Sequence, residues 1–130
     1  MLVLDASVVF DAVQFRDGFA LFADEELAAP PLMWSEVRSV LREHVWRGEL
    51  KAAAGRAALE RLEEAPVTRR VHPRLGREAW RIAEEMGWAR TYDAEYVGLA
   101  LLLKCRLVTY DARLRRATQG LGFVIGPADI

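Results

Sequence analysis

Asp5, Glu36, Asp93 and Asp111 stand where a carboxylate is a costly choice. Asp5 ends the apolar run 1–4, and Asp111 follows the run 107–110. Glu36 lies three residues from Met33 and four from Val40, and so borders the apolar stripe of a helical pattern. Asp93 aligns with Val97 and Ala100 at i+4 and i+7, at the start of a helix whose inward face is apolar. All four are expected to point toward the edge of a core. Two unit charges about 4 Å apart repel by ~4 kcal/mol at an effective dielectric near 20. Ionised carboxylates sharing a cleft therefore need a positive partner. A hard divalent cation, Mg2+ or Mn2+, fits that need, because it is held by one or two carboxylates, waters and phosphate oxygens. Such a site supports phosphodiester hydrolysis. His44 and His72 are far apart and form no zinc motif, and Cys105, the single cysteine, rules out an internal disulfide.

Each position also has a plainer reading. An aspartate after a strand is often only a helix cap, which applies most directly to Asp111. Asp93 suits the first turn of a helix, where the dipole favours an acid, and Glu36 suits a boundary position paired with an arginine. Asp5 is the hardest to dismiss, and the combination carries the weight. Ser7 and Thr109, two positions from Asp5 and Asp111, fit hydrogen bonds to the site carboxylates and helix capping equally well. Asp11, Glu60, Glu63, Glu64 and Glu95 read as solvated helix faces. Trp34, Trp46, Trp80 and Trp88 read as core or interface residues, and Cys105 as a buried small hydrophobe.

The elements that must position these acids alternate between strand and helix. Residues 1–4 predict a central strand covered on both faces. Ser7 is expected to cap the next helix, and residues 15–27 to form a second short helical stretch. A short strand at 28–29 precedes a helix over 32–46 that stops at Gly48. With an Ala-rich helix over 51–64 it forms an antiparallel hairpin. A strand over 67–71, a helix from Pro73 to Gly87 and a helix capped by Thr91 follow. Then come a strand over 107–110, a short Arg-rich helix and a last strand over 123–125. This pattern predicts an α/β fold with a central, mainly parallel sheet of four to five strands. Its ligand site belongs outside the strand carboxyl ends, near a topological switch point.

Composition narrows the partners. With 52% hydrophobic and 28% charged residues the chain is an ordinary folding sequence, expected to make one domain over 1–130. The formal net charge of -1 provides no global pull on a polyanion, so any such binding must be local. Candidate phosphate contacts are Arg38, Arg42 and Arg47 on one helix, Arg69, Arg70 and Arg74 around a strand end, and Arg113, Arg115 and Arg116 near the site. No apolar run approaches the ~20 residues of a membrane span. The opening lacks a basic export signal, so a cytoplasmic location and no membrane association are expected.

LVLDAS at the start, PPLMWSEVRSVLRE, TYDAEYVGLALLL and RLVTYDARL together resemble the PIN domain. The similarity is closest to the VapC-like ribonuclease toxins of toxin-antitoxin modules, and it extends over essentially the whole chain. The resemblance implies a three-layer α/β/α domain acting as a Mg2+ or Mn2+ dependent endoribonuclease on structured RNA such as transfer or ribosomal RNA. It further implies a homodimer silenced by a cognate antitoxin. By motif, the family's acids fall on Asp5, Glu36, Asp93 and Asp111, with Ser7 and Thr109 in support. Asp5 and Asp93 are expected to lie closest to the ion, with Glu36 and Asp111 acting directly or through water. Arg113 stands where some PIN domains carry a further acid, which points to one firmly held ion. The hairpin over 32–64 offers a groove for an antitoxin helix. The alternatives are a catalytically silent PIN-fold interaction module and a Mg-binding phosphoacceptor receiver domain. The receiver is disfavoured because Ala6 follows Asp5 and Lys104 precedes its strand. A haloacid-dehalogenase-like phosphatase is disfavoured by Ser7, where that family has an aspartate.

Overall fold

The computed structural model covers residues 1–130. The chain opens with β1 (Leu2–Leu4), followed by α1 (Ala6–Ala12), β2 (Leu27–Ala29), α2 (Leu32–Trp46) and α3 (Ala52–Glu63). It continues through β3 (Val67–Arg69), α4 (Leu75–Met86), α5 (Tyr92–Leu103), β4 (Arg106–Val108), α6 (Ala112–Ala117) and β5 (Val124–Ile125). All five strands pair in parallel, in the order β3-β2-β1-β4-β5. Parallel neighbours require crossover helices, which cover both faces of the sheet. Hence β1 and β2 are buried at every residue. Helices α1, α2 and α3 pack in succession, and α4 lies against α5, which also covers β1 and β4. Six helices around one sheet make the expected three-layer arrangement.

The strand order decides where a site can form. From β1 the chain adds β2 and then β3 on one side, then returns to place β4 and β5 on the other. The reversal creates a crevice at the carboxyl ends of β1 and β4, the topological switch point where open α/β sheets bind ligands. This order also differs from the 2-1-3-4-5 order of receiver domains, which removes that alternative. The core beneath is one cluster that includes Leu2, Leu4, Val37, Leu62, Leu99 and Leu107. Each such fully buried aliphatic side chain contributes roughly 1.5–3 kcal/mol.

Several local expectations change. Residues 15–27 form no second helix: a single 3-10 turn, Ala20–Phe22, is all that is helical there, and Leu27 already belongs to β2. Phe22 is the one buried residue of that turn, so no apolar stripe drives a longer helix. Close approach adds a constraint, since a Cβ on Gly18 would collide with the Ala12 carbonyl. Ser7 is not the cap of α1; Asp5 is, and its side chain accepts the Ser7 N–H. Thr91 sits at the N-cap of α5 but makes no side-chain cap bond. Pro73 lies just ahead of α4, which starts at Leu75. Cys105 is half-buried, and that burial pushes its thiol pKa up.

Candidate active site

Asp5 leaves the end of β1 directly into α1, and its backbone N–H donates to the Val108 carbonyl of β4 at 3.0 Å. The side chain is 7% exposed, one of three buried polar residues with Thr109 and Thr118. Burying a carboxylate is costly unless its oxygens are satisfied. Here Ser7 Oγ donates to Asp5 Oδ2 at 2.6 Å and Thr109 Oγ1 donates to the same oxygen at 2.8 Å. Each hydroxyl is oriented in turn by a backbone donor. Tyr110 N–H donates to Ser7 Oγ at 3.1 Å, and Asp111 N–H donates to Thr109 Oγ1 at 3.0 Å. The turn after β4 is thereby tied to the end of β1. All protein hydrogen bonds to this carboxylate converge on Oδ2, which leaves Oδ1 without a protein donor.

The remaining acids approach from other elements. Glu36 rises from α2, and its Oε1 accepts the Tyr96 hydroxyl of α5 at 2.6 Å. Burial pushes the Glu36 carboxyl above its ordinary pKa. The Tyr96 hydrogen bond opposes that rise, and the charges of Asp5, Asp93 and Glu95 add to it. Asp93 is exposed at the start of α5, yet desolvation on its protein side is still the largest effect raising its pKa. The charges of Asp5 and Asp111 raise it further, while Arg113 lowers it. Asp5 thus lies within electrostatic reach of Glu36 and Asp93, and Asp111 within reach of Asp93. Glu95, read from sequence as a surface acid, is half-buried beside them, and desolvation raises its pKa.

Asp111 performs the plainer role as well. Its Oδ1 accepts the N–H groups of Arg113 and Leu114 and caps α6 at 2.9 and 3.2 Å. Capping engages only Oδ1 and leaves its Oδ2 without a protein donor. Tyr96 is the residue that inspection of the acids missed. Its signal was present, since it is spaced from Asp93 by one helical turn and falls on the inward face.

No group of three or more His, Cys, Asp or Glu side chains is close enough to enclose an ion unaided. The donor set nevertheless suits a hard cation bound partly through water: only oxygen ligands, a free Asp5 Oδ1, and mutual repulsion that a cation would relieve. Among the arginines, Arg113 lies within electrostatic reach of Asp93. Arg38 pairs with Glu63 at 3.5 Å, and Arg69 stacks over Trp34 at 4.7 Å. Arg115 lies against Gly126, with its Nε buried and unpartnered. The groove between α2 and α3 is lined by Leu41, Val45 and Leu59 with Arg38, Arg42 and Arg56 beside them.

Residues 2–119 match the PIN domain family. The chain is 42% identical to VapC ribonuclease Mb0985 of Mycobacterium bovis over 121 residues, 92% of each chain. It is 42% identical to ribonuclease VapC9 of Mycobacterium tuberculosis over the same share, and 35% identical to ribonuclease VapC1 of that organism over 88% of this chain and 89% of the relative. Among solved structures, PAE2754 from Pyrobaculum aerophilum superposes with a TM-score of 0.77 at 24% identity, over 98% of this chain and 84% of that one. A toxin-antitoxin complex from Klebsiella pneumoniae gives a TM-score of 0.67 at 15% identity, over 98% of each chain. The structural matches support the fold, and the sequence matches carry the lineage. This chain belongs to the PIN-domain family, as a VapC-like member of it.

Proposed function

We propose that this chain is an endoribonuclease toxin that hydrolyses RNA phosphodiester bonds with the help of Mg2+ or Mn2+ and is silenced by a cognate antitoxin. The carrying observation is the Asp5 carboxylate, buried at the switch point and clamped through Oδ2 by Ser7 and Thr109. Such a clamp fixes a negative oxygen in a crevice where nothing in the core calls for one. In this reading Asp5 and Asp93 would hold the cation, with Glu36 and Asp111 acting on it directly or through water. Such an ion would supply acidification of a water and neutralisation of phosphate charge. Glu36, held by Tyr96 through Oε1, offers Oε2 to accept a water proton, and its raised pKa suits that exchange.

Structured RNA such as transfer or ribosomal RNA is the proposed substrate class, consistent with the ribonuclease names of the relatives. The antitoxin partner accords with the toxin-antitoxin neighbour. Action as a cytoplasmic homodimer of single-domain chains completes the proposal. No helix is long and apolar enough to cross a membrane. RNA ends mapped after brief expression of the wild-type chain and of Asp5→Asn test the whole reading. Cuts found only with wild type, and lost in vitro when the divalent cation is chelated, are expected. Identical ends in both, with each protein folded, would overturn it.

A further inference from the structure

An open cleft of about 500 Å3 is lined by Glu36 and Asp93 together with Trp88, Arg90 and Tyr92. The α4–α5 connection builds it. Gly87 ends α4 in the left-handed region at φ 71, and the chain then turns through Trp88 and Arg90 into Tyr92, the first residue of α5. Trp88 is half-buried and packed against the core, so its ring is fixed. Tyr92 is 52% exposed, although it directly precedes a site acid on a helix that is otherwise largely buried. Core packing does not account for that ring.

Charge decides what the cleft can take. Beside Glu36 and Asp93 the local field is negative, so a polyanion gains little there from its phosphates. The neutral face of a base has no such difficulty. Aromatic rings flanked by a guanidinium are the usual means of holding unpaired bases, and the cleft is of the size of small-ligand sites. We propose that the cleft is a nucleobase subsite, in which an unpaired base flanking the bond to be cut stacks on Tyr92 against the Trp88 wall, with Arg90 contacting the adjoining phosphate. This rests on the endoribonuclease reading and adds to it a requirement for a single-stranded residue at the cut.

The test uses an Asp5→Asn background for binding without turnover. Its probes are a labelled single-stranded oligoribonucleotide and the same strand annealed to its complement. Tyr92→Leu is expected to weaken single-strand binding on the order of 10-fold, with Tyr92→Phe close to the parent. Arg90→Ala should give a smaller loss that disappears at high salt. In the active protein, Tyr92→Leu should raise KM and loosen the choice of cut site while leaving the melting temperature unchanged. Single-strand binding and cut sites indifferent to Tyr92→Leu, or equal binding of the annealed duplex, would overturn the subsite. Tyr92-dependent binding without cleavage by the wild-type protein would refute the nuclease reading and leave the subsite standing. Binding of neither probe would overturn the subsite, and the nuclease reading then stands or falls on the RNA ends alone.

Discussion

Tyr96 Oη donates to Glu36 Oε1 at 2.6 Å, joining α5 to α2 across the crevice. Tyr96 is wholly buried, and its own pKa is pushed up by burial first and by this bond second. It therefore stays a neutral donor and works as a positioning residue for the Glu36 carboxylate. Tyr96→Phe removes the donor while retaining the ring. A hydrogen bond to a charged group contributes roughly 1.5–3 kcal/mol, so cleavage should fall about 10-fold or more. The bond also lowers the Glu36 pKa, and its loss should move the acidic limb of the pH–rate profile upward. An unchanged limb together with an unchanged rate would show that Tyr96 only fills space.

Ser7 and Thr109 give a second prediction. Both donate to Asp5 Oδ2 while each accepts a backbone N–H from the turn after β4. Thr109→Val leaves Asp111 N–H without its acceptor and removes one donor from a buried carboxylate. A cost of about 1–3 kcal/mol in stability is expected, measured by urea unfolding. Ser7 is only half-buried, so water can replace part of its role and Ser7→Ala should cost less. Cleavage should suffer in both variants, because Asp5 loses its fixed orientation. A larger stability loss in Ser7→Ala than in Thr109→Val would contradict this ranking.

These two hydroxyls also show what the sequence could convey. Their proximity to Asp5 and Asp111 was legible from spacing, as were the acids themselves and the helix at Leu32–Trp46, whose apolar period and stop at Gly48 are local signals. The direction of the bonds was not. By residue type Ser7 fitted capping and a hydrogen bond to a site carboxylate equally, and the extended backbone at Asp5 decides between them by making Asp5 the cap and Ser7 a donor to it. Residues 15–27 looked helical for want of breakers beyond Gly18, but the packing of Gly18 on Ala12 is a contact that composition does not display. Tyr96 was passed over for a related reason, although its spacing from Asp93 was visible. A buried tyrosine announces itself as core, and its partner Glu36 is sixty residues away in the chain.

Asp111 permits its two roles to be separated. Oδ1 caps α6 through Arg113 N–H and Leu114 N–H. Asp111→Asn keeps a capping oxygen and removes the charge, and Asp111→Ala removes both. Loss of such a cap costs about 1 kcal/mol. Calorimetry should therefore show Asp111→Ala clearly below wild type and Asp111→Asn close to it. If the carboxylate serves only the helix, Asp111→Asn will cleave RNA normally. The position at the crevice, close enough to raise the Asp93 pKa, predicts that both variants lose activity and differ only in stability.

Crowding of like charges implies that the site is held at a cost to the fold. Glu36 and Asp93 have pKa values raised by burial and by neighbouring carboxylates. A raised carboxyl pKa means the folded state binds its proton more tightly than the unfolded state does, so stability falls as pH rises. The fall begins near the unfolded values, about 4, and is complete once pH exceeds the raised folded ones. At neutral pH the full penalty is present. Asp93→Asn should then melt higher than wild type by about 1–3 °C near pH 7, a modest figure because Asp93 is exposed and its repulsion is screened. Near pH 3 the carboxyls are protonated in both states, and the gain should vanish. Added Mg2+ or Mn2+ should raise the wild-type melting temperature, since a ligand that binds only the folded state stabilises it, and should raise that of Asp93→Asn much less. A gain that persists unchanged at acidic pH would mean that charge repulsion is not its source, and equal cation shifts in the two proteins would remove Asp93 from the binding site.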